Sequence, residues 1–167
     1  MINRYSSRKE KLDESFLNKK LKNAKSYDRI AGYFRCSILE LSGEDLENIE
    51  GKIRVVCNSD LNIEDVKTAM AAQNAMRKDW CSNNPEEEYK NIPKKLVKLY
   101  NLLKSKKLEV RVMPNDAFGL IHGKAGVITF KDDTKTSFIG SINESYSAFK
   151  INYEMIWEDD SDEAVKW

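Results

Sequence analysis

The sequence predicts a single α/β domain built on a mixed β-sheet. Helical and strand-like apolar periodicities alternate as far as Leu108, which is the pattern of a layered α/β chain. From Leu108 onward, four strand-like stretches follow in quick succession. The length, 167 residues, is that of one domain large enough to bury a substantial core.

Leu12, Phe16, Leu17 and Leu21 recur at helical spacing, so residues 10–24 read as an amphipathic helix. "YDRIAGYF" (27–34) reads as a short strand, and "SILELSGEDLENI" as helix or turn after it. "KIRVVCN" (52–58) is a β-branched apolar run ending in a polar residue, as expected of an inner strand. Asn62 is placed to cap a helix into the 70s, with Val66, Ala69, Met70 and Gln73 on successive turns. "CSNNPEEEYKNIPKK" is the most loop-like stretch. After Pro93 a helix carrying Leu96, Leu99, Tyr100 and Leu103 runs to the lysines at 104–107, which suit a helix C-terminus. The strands that follow are "LEVRVMP", "GLIHGKAGVITF", "TKTSFIGSIN" and "INYEMIWED", with "KDDTK" as the turn between the middle two. No internal repeat or low-complexity tract interrupts them. The last residues, "DDSDEAVKW", read as the first turn of a helix cut short, so residues 1–167 are expected to be the N-terminal part of a longer protein.

Composition narrows the function classes. The chain has 28 basic and 27 acidic residues, so it lacks the overall basic footprint of many nucleic-acid-binding domains, although a local patch counts for more than the sum. No apolar run is long enough to span a membrane, and the N-terminus lacks the apolar segment of a signal peptide. The three cysteines, Cys36, Cys57 and Cys81, are odd in number and far apart, which fits neither a disulfide framework nor a CxxC metal site. With a single histidine as well, the composition argues against a transition-metal site. The reading is a soluble, reduced, cytoplasmic protein without a cofactor.

The chemistry gathers around that histidine. On a strand, His122 and Lys124 share a face with Gly126 and Ile128. A buried lysine is costly unless an anion compensates it, and a neighbouring imidazolium adds to the cost. The pair makes sense if the anion is a ligand, and a phosphate would take charge-assisted hydrogen bonds from both. Ser141 and Asn143 also share a face, after a Gly140 that permits close approach, and both offer donors to phosphate oxygens. Glu154 supplies a carboxylate able to hold the histidine ring in position. Singly, each of these residues has an ordinary structural explanation; together they outline a phosphate site.

"HGKAGVITF…FIGSINES…NYE" resembles the HKD motif of the phospholipase D superfamily, H-x-K followed by G-S-x-N and a downstream Glu. The match is strongest over residues 119–154, and "YDRIAGYF" and "LEVRVMP" are similar to parts of the superfamily's sandwich. The chain is most similar to single-motif bacterial nuclease domains, such as those at the N-terminus of some helicases and restriction enzymes. The resemblance implies a mixed sheet flanked by helices on both faces, and metal-independent phosphodiester cleavage through a phosphohistidine. It gives Lys124 and Asn143 the non-bridging oxygens, Ser141 a supporting role, and Glu154 the orientation of a histidine. Thr129 stands where the motif has Asp, with Asp132 and Asp133 nearby but off register. The mechanism requires two histidines and the chain has one, so a homodimer that joins two active-site faces is expected. The expected partners are DNA, a second copy and a C-terminal helicase domain, with no membrane. The alternatives are a catalytically weak module that grips the nucleic-acid backbone and, further off, a phospholipid phosphodiesterase. Seven lysines between Lys90 and Lys107 offer either a basic surface for DNA or a solvated helix face.

Overall fold

The computed structural model describes residues 1–58, 63–79, 93–113 and 121–166, without the side chains of 75–79. Asn62, Cys81, Lys90, the loop-like stretch to residue 92, Gly119 and Leu120 lie outside the described residues.

Seven strands form one sheet in the order β1-β7-β6-β5-β2-β3-β4. These are β1 (Ile2–Ser6), β2 (Ala24–Ile30), β3 (Ile53–Asn58), β4 (Leu108–Met113), β5 (Ala125–Phe130), β6 (Lys135–Gly140) and β7 (Met155–Asp159). β2, β3 and β4 are parallel, and the remaining pairs are antiparallel, so the sheet is mixed as the sequence predicts. Parallel neighbours need long crossovers, and helices supply them. α2 (Leu39–Asn48) links β2 to β3, and α3 (Ile63–Asp79) and α4 (Lys94–Lys104) lie between β3 and β4. The helix expected over 10–24 forms as a π-helical segment, Asp13–Asn18, running into α1 (Lys19–Leu21). The last helix, α5 (Tyr146–Lys150), is capped by the Ser145 hydroxyl, which accepts from the Ala148 amide.

The core sits between these helices and one face of the sheet. Leu12, Phe16, Leu17 and Leu21 are buried there, with Leu39 and Leu46 of α2, Leu96, Leu99 and Leu102 of α4, and Phe149 of α5. Phe138 of β6 is at its centre, edge-on to Phe16 at 5.0 Å between centroids and stacked on Tyr27 at 6.3 Å. Its cross-strand partner is Gly126, where a Cβ would stand 2.5 Å from the ring, so the glycine makes room for the phenylalanine. The helices that feed this core pack on one face of the mixed sheet. The opposite face carries Asp28, Arg54, Glu109, Val127 and Thr129, met by Val165 near the C-terminus. Cys36 and Cys57 are buried free thiols; burial raises both, and with Asp65 beside it Cys36 is pushed up to about 12, so neither is an activated nucleophile.

β1 is absent from the sequence reading because "INRYS" has four polar or half-polar residues at an edge and little alternation. It is held from the inside by Glu158 of β7, which is 2% exposed. That carboxylate accepts from Tyr5 (2.8 Å) and Thr136 (2.9 Å) and forms an ion pair with Lys20. Burial alone would raise its pKa, but the hydrogen bonds from Lys20, Tyr5 and Thr136 prevail and hold it below the usual carboxylate range. A depressed carboxylate stabilises the fold above its unfolded pKa, about 4.3, and loses that contribution as pH falls through the lower folded value. Glu158→Gln is therefore expected to cost about 2 kcal/mol at neutral pH. In thermal melts, the gap to wild type should close as pH drops below about 4.

Candidate functional site

The ends of β2, β3 and β6 and the starts of β5 and β7 meet at one end of the sheet. In open α/β sheets, ligands bind beyond the carboxyl ends of the parallel strands. All five residues singled out from the sequence lie at this end, on the connecting segments. Within the described part of "GLIHGKAGVITF", residues 121–130, the strand starts at Ala125, and His122 and Lys124 sit in the segment that leads into it. His122 is exposed and Lys124 half-buried, which removes the premise of a buried charge within a strand. Ser141 and Asn143 follow β6, and Glu154 immediately precedes β7.

Two groupings emerge. In the first, the Asn143 side-chain oxygen accepts from the backbone amides of Gly32 (2.9 Å) and Tyr33 (3.3 Å). That leaves its NH2 group as the donor end. A Cβ on Gly32 would stand 2.9 Å from this oxygen and 3.4 Å from Lys124 Nζ, so the bare glycine lets both side chains converge. Lys124 Nζ donates to the His122 carbonyl at 2.9 Å, and among the described residues no carboxylate pairs with it. In the second grouping, the Ser141 hydroxyl donates to Glu154, and the Met155 amide donates back to that hydroxyl at 3.2 Å. Glu154 is 7% exposed, also accepts from Asn152 (3.3 Å), and its own amide donates to the Ser7 hydroxyl at 2.9 Å. Its carboxylate thus holds the Ser141 turn and makes no hydrogen bond to the His122 ring. The Gly140 amide donates to the Lys124 carbonyl at 2.9 Å and joins the groupings, while a Cβ on Gly140 would collide with the Met155 carbonyl.

Two supports of the site escaped the sequence reading. Asn58, at the end of β3, grips the residue before His122: its oxygen accepts from Ile121 N (2.8 Å) and its amide donates to Ile121 O (2.9 Å). Beneath Asn143, Arg29 Nε donates to Glu144 Oε1 at 2.6 Å, and Tyr27 OH donates to the same oxygen at 2.9 Å. Arg29 also donates to the Ile142 carbonyl, and its guanidinium lies 4.9 Å from the Phe138 ring. Arg29 and Glu144 are each 2% exposed. The available signals were an arginine among apolar strand residues and a glutamate directly after Asn143. Part of the lysine-rich run, by contrast, is engaged: Lys95 pairs with Glu40 (2.9 Å) and Lys98 with Glu47 (3.5 Å) of α2.

Among the described residues no carboxylate pairs with the half-buried ammonium or the exposed imidazole, and with the carboxamide they offer donors of the kind an anion accepts from. Among the described residues no group of three or more His, Cys, Asp or Glu side chains is arranged to hold a metal ion.

Comparison with known proteins bears on the family and the fold. The family described as "Cardiolipin synthase, PLD-like domain" matches residues 17–167, and the chain belongs to this phospholipase D-like family. NucT from Helicobacter pylori is similar in fold, with a TM-score of 0.55 at 17% identity, covering 98% of this chain and 87% of that one. Nuc from Salmonella typhimurium, a phospholipase D family member, gives 0.53 at 14% identity over 95% and 81%. A mutant of yeast tyrosyl-DNA phosphodiesterase 1 gives 0.58 at 11% identity, with 95% of this chain covering 32% of that protein, so the chain spans about a third of its length. No curated protein matches the chain.

Removing one partner of a buried ion pair strands the other charge. Glu144→Ala should accordingly cost about 3–5 kcal/mol in urea unfolding. Asn58→Ala should cost about 1–3 kcal/mol, and the Ile121 amide, now without its acceptor, should exchange faster with solvent deuterium.

Proposed function

We propose that the chain is a metal-independent phosphodiesterase acting on DNA. The observation that carries this reading is the convergence of Lys124 Nζ and the Asn143 carboxamide on Gly32, with no compensating carboxylate among the described residues, next to the exposed His122. Family membership supports phosphodiester chemistry, and one structurally similar protein is by its name a tyrosyl-DNA phosphodiesterase.

In the proposed reaction an imidazole nitrogen of His122 attacks phosphorus and the bond to the leaving oxygen breaks. His122 of a second copy donates the proton that the leaving oxygen takes up. Water then attacks the phosphohistidine, gives its proton to that second imidazole, and the phosphorus–nitrogen bond breaks. Lys124 and the Asn143 NH2 group neutralise charge on the non-bridging oxygens. Glu154 keeps Ser141 and the turn after β6 in place. Because each chain has one histidine, the reading requires a homodimer with one composite site, and an isologous contact provides it. Residues 1–167 would act as one domain of a longer, helicase- or restriction-type protein.

Thr129 bears on the alternative of a binding module that no longer cuts. It lies five positions beyond Lys124, about 16 Å along an extended chain, and its side chain faces the surface opposite the core. Its difference from the motif Asp therefore leaves the geometry of Lys124 and Asn143 untouched. Among the described residues no helix is long and apolar enough to cross a membrane.

Labelled DNA incubated in excess EDTA tests the reading. Wild type should cut, and His122→Ala should lose at least about a thousandfold in rate. Adding an excess of His122→Ala protein under conditions of subunit exchange should suppress wild-type cutting, since a mixed dimer has one imidazole. Magnesium-dependent cutting that survives the substitution would overturn the proposal. Cleavage confined to phosphatidylcholine vesicles would replace it with the lipid reading.

A further inference from the structure

We propose that Tyr33 and Arg35 form a second phosphate subsite, which makes the substrate a strand with several phosphates rather than a diester with one. This rests on the phosphodiesterase reading and specifies its substrate class.

The segment 32–35 is fastened to 143–144 along its whole length. Gly32 and Tyr33 donate to the Asn143 side chain, Phe34 forms a bridge with Glu144, and the Arg35 amide donates to the Glu144 carbonyl at 2.9 Å. Arg35 is extended (φ −136°, ψ 140°), and alternate residues of an extended segment face opposite ways. Phe34 is 6% exposed and belongs to the core. Tyr33 and Arg35 therefore both turn outward, one and three residues along from the glycine at which Lys124 and Asn143 converge.

Once outside, they stack on each other. The Arg35 guanidinium lies 5.3 Å from the centre of the Tyr33 ring, and among the described residues no carboxylate pairs with it. Other exposed cations are taken up by carboxylates: Arg54 is forked onto Asp28, and Lys52 and Lys25 pair with Glu109 and Asp133. A guanidinium placed over a ring keeps its N–H donors free for a phosphate, with less side-chain entropy to lose on binding. The backbone fastening fixes that cation at a set offset from Lys124. A polymer with a phosphate at every residue meets both positions at once, and a single-phosphate lipid or mononucleotide diester meets only one.

The test uses the full chain, a fluorescent single-stranded DNA oligonucleotide and bis(p-nitrophenyl) phosphate. Arg35→Ala should weaken oligonucleotide binding about five- to tenfold and lower the salt slope of the affinity by roughly 0.7, the value for one phosphate contact on a single strand. The ratio of kcat/KM for the oligonucleotide to that for the small diester should fall by a similar factor. Tyr33→Leu should lower affinity in the same direction, and Tyr33→Phe, which keeps the ring, should restore it. If Arg35→Ala leaves affinity and salt slope as in wild type, or Tyr33→Phe fails to recover what Tyr33→Leu loses, the subsite is overturned. Absence of cleavage of either substrate by wild type in EDTA would defeat the phosphodiesterase reading alone, and the binding slope would still decide the subsite.

Discussion

The buried contact between Arg29 and Glu144 is the constraint on which the working end of this protein depends. It crosses from β2 to the turn after β6, with Tyr27 and the Ile142 carbonyl completing most of its hydrogen bonds and one guanidinium nitrogen left buried without a partner. An ion pair this deep is a poor source of net stability, because desolvation offsets much of the attraction. What it provides is position. The side chains at 142–144 go to opposite duties, Ile142 and Glu144 inward and Asn143 outward, and shifting the turn by one residue would strand a charge in the core. The placement of Asn143 is thus enforced by a penalty on every other placement.

The two sides of the site differ in how they are supported. Asn143 is fixed by backbone donors and Gly32 lacks a Cβ, so among the described residues the Asn143 NH2 group is unengaged and the Lys124 ammonium is held by the His122 carbonyl alone. Ser141 and Glu154 are engaged with each other and with Ser7, so they act as scaffold at the rim. His122 stands between, exposed, with its preceding residue gripped by Asn58. This is the usual division in α/β domains, in which rigid strands carry mobile chemistry on their connecting loops.

Much of this was legible in the sequence, and the failures have physical causes. The apolar spacing of Leu12, Phe16, Leu17 and Leu21 and the β-branched run of β3 identified their elements because each has one strongly buried face. The same reasoning extended β5 back to residue 119, since alternation continues through His122 and Lys124 although strand pairing begins only at Ala125. Glu154 was read as a partner for the imidazole; local spacing does not reveal that the Ser141 hydroxyl reaches it first. Arg29, Asn58 and Glu144 were passed over for a related reason. Their roles exist only through partners from 63 to 117 residues away, and no local pattern records such pairs.

The pairing of β1 with β7 bears on when the site comes into being. Ile2 lies opposite Asp159 and Ser6 opposite Met155, and Ser7 completes the hydrogen bonds around Glu154. On a ribosome, the first strand emerges long before its partner β7 exists, and contacts of such sequence separation form late because a long loop must close first. The rim of the proposed site therefore closes only after β7 has emerged, and until then the nascent chain carries its lysine and histidine without the frame that aligns them. Delayed assembly of this kind separates the making of these side chains from their alignment.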